Sequence, residues 1–231
     1  KVSLYLISSF LIYICFTIFL VGKLYENKIY WDEPTYLNFV FDNLSSKIFQ
    51  NSNPNFWCGP GYPIIISPIV LLFEHPKFFA VGLNILFHNL SLLLLYKSLK
   101  SLLNPIISLC FSIVFAFYFP LFSELPLMMT ECFARLLLCI NLFYLVKLKQ
   151  EYKFSYLVIS GIAFGFLCLT KIIFGYVQLL LLLLIFVDFF FKISKKTSIL
   201  IKYISITYII TLPYLLFTLY VTKIPFFWAN S

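Results

Sequence analysis

Six ionisable side chains stand apart from the lysines that dominate this sequence: Asp32 and Glu33, Glu124, Glu131 and Arg135, and Lys171. Adjacent carboxylates such as Asp32-Glu33 can take a proton from an acceptor hydroxyl, or hold a divalent cation. The same dipeptide, followed by Pro34, also suits the first turn of a helix, where acids favour the dipole and proline needs no N–H. Glu131 and Arg135 lie four residues apart, so a helix would bring them onto one face as an ion pair. Glu124 precedes them across Pro126. Lys171, in Leu169-Thr170-Lys171, can act as a point charge for a phosphate or snorkel to the headgroups. His75 and His88 are isolated in the sequence, and neither is assigned to a metal.

The elements that must position these groups are membrane helices. Hydrophobic residues make up 62% of the 231, charged residues 11%, and the mean hydropathy is +0.98. A soluble domain keeps roughly a quarter of its residues charged, so this chain could not cover itself in water. Apolar runs at 3–22, 77–97, 103–121, 126–147, 154–170, 172–191 and 198–222 are near the length that crosses a bilayer. The fold expected is all-α: a polytopic transmembrane bundle of about seven spans. The first run lacks a small-residue cleavage site and reads as a retained span. Five of the six cysteines lie inside apolar runs, without metal-ligand spacing, and read as small buried hydrophobes.

The net charge of +8 sits in lysine clusters between these runs: Lys97 and Lys100; Lys147, Lys149 and Lys153; Lys192, Lys195, Lys196 and Lys202. That is the pattern of cytoplasmic loops and not of a nucleic-acid groove. The polar stretch 23–76 is then extracytoplasmic. Within it, Thr35–Phe49 reads as an amphipathic juxtamembrane helix. Residues 61–74, short and interrupted by Pro63 and Pro68, are expected to insert without crossing. The acids at 32, 33, 124 and 131 then share the outer face with Lys171. Gly161 and Gly165 form a GxxxG pair suited to close helix packing.

The order of features is more specific than any one of them. A first span leads to WDEPTYLNFVFDNL and then GPGYPIIISPIVLLF; two spans later come SELPLMMTECFARLLL, a lysine loop and GIAFGFLCLTKIIFGY. This order resembles the GT-C glycosyltransferases of the protein O-mannosyltransferase and aminoarabinose transferase type, from Trp31 to about Gly175. The resemblance implies transfer of a sugar from a polyprenyl-phosphate carrier to a lipid, glycan or protein acceptor at the outer face of the plasma (inner) membrane. It implies catalytic roles for Asp32, as base, with Glu33 and Glu131. Lys171, with Arg135 and Glu124, would bind substrate.

The chain departs from the family pattern where Ile172 replaces a proline, Lys171 an arginine, and Cys58-Gly59-Pro60 carries no lysine. Residues 1–222 form the expected catalytic module. Residues 223–231 resemble the start of a further extracytoplasmic segment, so truncation is expected. A divalent-cation requirement is left open. The rival readings are a transporter, which would favour inverted repeats that the sequence lacks, and another lipid-linked glycan polymerase or ligase.

Overall fold

The computed structural model describes residues 2–30, 32–41, 59–191 and 197–223, and every regular element among them is helical. In chain order these are α1 (Val2–Leu24), α2 (Glu33–Phe39), α3 (Gly61–Leu72), α4 (Pro76–Lys100) and α5 (Pro105–Ala116). They are followed by α6 (Phe119–Ser123), α7 (Glu131–Gln150), α8 (Phe154–Thr170), α9 (Ile172–Phe191) and α10 (Thr197–Thr222). By length and composition, three of the described helices can cross a membrane, over Ile7–Leu24, Pro76–Lys100 and Ser198–Tyr220. With the shorter apolar helices beside them, they make an integral membrane protein.

Several expectations change in detail. The run 103–121 is not one helix. Pro120 has no N–H to offer the Ala116 carbonyl, so α5 ends at Ala116 and the chain restarts as the five-residue α6. Residues 61–72, expected to be broken by proline, form one continuous helix. Pro68 leaves the Ile64 carbonyl without its helical donor, and Ser67 Oγ donates to that oxygen at 2.8 Å. The resulting α3 has 12 residues, about 18 Å of axis, well short of a bilayer. Helix α2 begins at Glu33, two residues before the expected Thr35. The remainder of the expected 35–49 helix, from residue 42, lies outside the described residues, as do Cys58 and residues 224–231.

The bundle core is built on α4, α7, α8 and α10, which pack as neighbours in the order α4–α7–α8–α10. Small residues set the closest approach. A Cβ on Gly161 would meet Ile206 Cγ2 at 2.8 Å, and one on Gly165 would meet Ile210 Cβ at 2.8 Å, so the GxxxG face carries α10. Mid-bundle, Asn141 Oδ1 accepts from Ser160 Oγ at 2.7 Å and Tyr203 OH at 3.2 Å, tying α7, α8 and α10.

The two ends of the bundle differ in character. At one end Gln150 donates to the Ser101 carbonyl, joining the lysine-bearing ends of α4 and α7. At the other end Lys77 Nζ donates to the Lys28 carbonyl, so the two ends of the long 28–77 segment meet. There too, Gly59 and Gly61 lie against the end of α8: a Cβ on Gly59 would meet the Leu169 carbonyl oxygen at 1.9 Å.

Candidate active site

The acidic end is assembled from four chain segments. Asp32 is the N-cap of α2, and Pro34 lies in its first turn, as that dipeptide allows; the Asp32 side chain makes no capping bond. Asp32 is exposed, and among the described residues its carboxylate has neither an ion-pair nor a hydrogen-bond partner. Glu33 is the opposite. It is fully buried, with Oε2 paired to Lys77 Nζ at 3.0 Å and accepting the Tyr30 N–H at 2.6 Å. Its Oε1 accepts the Met128 N–H at 2.6 Å. The two neighbours therefore do not present free carboxylates to one ion. Among the described residues no three His, Cys, Asp or Glu side chains gather as a metal site.

The segment 124–130 is held from two sides. Asn84, fully buried on α4, donates through Nδ2 to the Leu125 carbonyl at 3.2 Å and the Leu127 carbonyl at 2.5 Å. Glu33 holds the same segment one residue further on, at Met128. Helix α7 then starts at Glu131, which places an acid in the first turn, where the helix dipole favours it.

The expected pairing of Glu131 with Arg135 is corrected. Glu131 Oε1 pairs with Lys171 Nζ at 2.5 Å, and Arg135 Nη2 pairs with Glu124 Oε2 at 2.7 Å. The reason is geometric: α8 delivers Lys171 to the start of α7, while the turn before α7 folds Glu124 back over Arg135. Lys171 reaches this position because the chain is extended there, at φ −132° and ψ 119°, between α8 and α9. Burial raises the Glu124 carboxyl above its ordinary value; Arg135 and Lys171 oppose the rise and Glu131 adds to it. Glu124, Glu131, Arg135 and Lys171 are thus one electrostatic neighbourhood.

Three participants escaped the reading of the sequence: Lys77, Asn84 and His88. Their signal was present. Lys77, Asn84, His88 and Ser91 stand at i, i+7, i+11 and i+14, a polar stripe along one face of an apolar helix, and all four are buried. Tyr62, at the start of α3, is also buried here, its ring edge-on to Tyr36 at 5.3 Å. Burial first, then Cys132, Tyr36, Glu33 and Glu131, push its phenol well up, so it stays neutral. Its hydroxyl has no hydrogen-bond partner among the described residues.

The sequence model of a protein family described as dolichyl-phosphate-mannose-protein mannosyltransferase matches residues 54–217. No curated protein and no solved structure matches the chain.

Proposed function

Since this chain belongs to the dolichyl-phosphate-mannose-protein mannosyltransferase family, we propose that it moves a sugar from a polyprenyl-phosphate carrier to an acceptor hydroxyl outside the membrane. It is a membrane glycosyltransferase that uses a lipid-linked sugar. The acidic end of the bundle faces out and the lysine-rich end faces the cytoplasm, as the positive-inside rule orders them. In a bacterial cell this is the plasma (inner) membrane.

Asp32 is the base in this reading. One observation carries the assignment: of Asp32, Glu33, Glu124 and Glu131, Asp32 alone has no cation beside it among the described residues. A base needs a free lone pair where substrate can reach it, and an exposed, unpaired carboxylate has one. Glu33 positions Asp32 by fixing the loop to Lys77 and Met128. Glu131 holds Lys171 in place until the donor phosphate shares that charge, and Glu124 does the same for Arg135.

The acceptor oxygen bonds to the anomeric carbon as Asp32 takes its proton. The bond from that carbon to the phosphate oxygen breaks, and the electron pair leaves with the lipid phosphate. Lys171 and Arg135 offset the charge that develops there. The anomeric configuration inverts.

The test is Asp32→Asn in the full chain, assayed with polyprenyl-phosphate-linked sugar. Transfer should fall at least ~100-fold, the scale of a lost general base, with membrane insertion unchanged. Normal turnover by a well-inserted Asp32→Asn protein removes the assignment.

A further inference from the structure

The charge on Arg135 is carried on a hydrogen-bonded chain that runs from the candidate site into the bundle. Arg135 is buried near the start of α7, with Nη2 on Glu124. Its Nη1 lies 3.1 Å from Nδ1 of His88, a fully buried residue of α4. His88 Nε2 lies 2.8 Å from the Tyr13 hydroxyl on α1, and that hydroxyl donates to the Ala116 carbonyl at 2.6 Å.

Every proton in this chain has a forced direction. A guanidinium can only donate, so His88 Nδ1 accepts and Nε2 carries the hydrogen. Tyr13 then accepts from Nε2 and gives its own proton to Ala116. That carbonyl is open to it because Pro120, four residues on, has no N–H. The break between α5 and α6 thus supplies the end of the chain. His88 gives the buried guanidinium a neutral acceptor, where a second carboxylate would have left the group net negative.

We propose that His88, backed by Tyr13, is the positioning residue that aims Arg135 at the phosphate of the lipid-linked donor. The inference rests on the donor reading given above, and names residues whose part in it no motif indicates. Two N–H groups of Arg135 are spent on Glu124 and His88, and these fix the plane in which the others point. A guanidinium held in one plane can meet a phosphate with two parallel bonds, whereas a rotating one offers only its charge. Without His88 the inner edge loses its acceptor, and Arg135 turns fully onto Glu124.

The experiment titrates the detergent-solubilised full chain with a sugar-free polyprenyl monophosphate, read by thermal shift. His88→Phe keeps an aromatic ring and removes the acceptor; its dissociation constant should rise about tenfold, the scale of one hydrogen bond to a charged group. His88→Asn returns an oxygen near the Nδ1 position and should bind within about threefold of the parent. Parent-like binding by His88→Phe overturns the proposal, as does equal loss in both variants, which would mark a fault of ring packing. If His88→Phe does not accumulate, Tyr13→Phe decides: it should weaken binding severalfold, and an unchanged constant overturns the proposal. Asp32→Asn in the same titration separates the two readings. It should bind the lipid phosphate normally while failing to transfer sugar. Full transfer by Asp32→Asn would sink the base assignment and leave the His88 result standing.

Discussion

The backbone N–H of Met128 donates to Glu33 Oε1 at 2.6 Å, across 95 residues of sequence. Through this bond the turn before α7 is built on the loop after α1. The same carboxylate neutralises Lys77 in the first turn of α4, where a cation opposes the helix dipole and so needs a partner. One buried acid therefore sets the relative positions of Asp32, the 124–130 segment and α4.

Breaking that ion pair should cost more than removing it. Glu33→Gln leaves Lys77 charged and buried, and is expected to destabilise the protein by about 3 kcal/mol. Lys77→Met should cost a similar amount by stranding Glu33. The Glu33→Gln/Lys77→Met double variant should recover much of the loss, measured as unfolding in mild detergent. Strict additivity of the two single effects would show that the pair is not coupled.

Lys171 makes a half-exposed pair with Glu131, so its substitution should change stability by less than about 1 kcal/mol. Its effect should appear in donor use instead. Lys171→Gln should raise the KM for the lipid-linked donor, and Lys171→Arg should keep most of the activity. Identical donor-dependence curves for parent, Gln and Arg forms at equal expression would leave Lys171 as a headgroup anchor.

Two glycines, Gly61 at the contact between α3 and α8 and Gly82 inside α4, should respond in opposite ways. Gly61→Ala would drive a Cβ to 2.3 Å from Thr170 Oγ1 and 3.0 Å from the Leu169 carbonyl carbon, so α3 must shift from beside Lys171. A loss of about 1–3 kcal/mol is expected, with reduced transfer. At Gly82, inside α4, an added Cβ meets nothing within 4 Å. Gly82→Ala should be neutral or stabilise by up to about 1 kcal/mol. Thermal denaturation of both variants checks the contrast, and equal tolerance at the two sites would contradict the close packing.

Tyr62 buries a hydroxyl with no described partner, which costs about 1–3 kcal/mol if nothing binds it. Tyr62→Phe should therefore raise the melting temperature of the ligand-free protein while keeping the ring against Tyr36 and Phe133. A lowered melting temperature would mean that the hydroxyl has a partner in the folded protein.

The meeting of Lys77 with the Lys28 carbonyl predicts that α3 returns to the face it left. Cysteines placed at the exposed positions Asn27 and Glu74 should be labelled from the same side of sealed vesicles, and one at Ser101 from the other. Labelling of Asn27 and Glu74 from opposite sides would make α3 a crossing helix and divide the acidic end.

Composition and run length determined the all-helical membrane class, because the hydrocarbon core accepts only long apolar stretches with their backbone bonds satisfied internally. Spacing suited Gly161 and Gly165 to close helix packing and allowed Asp32-Glu33-Pro34 to open a helix, though the expected start was Thr35; both features depend on residues close in the chain. The pairing of charges was out of its reach. Local spacing favoured Glu131 with Arg135, yet Lys171 comes from 40 residues away and Glu124 folds back across Pro126. The stripe Lys77, Asn84, His88 and Ser91 was written in the sequence as polar residues on one helix face. The partners of the first three, Glu33, the 124–130 carbonyls and Arg135, exist for them only after the helices pack, whereas Ser91 donates to the Phe87 carbonyl of its own helix. Buried charge is stable only beside an opposite charge or an acceptor, and which one is nearest is a property of the packed bundle.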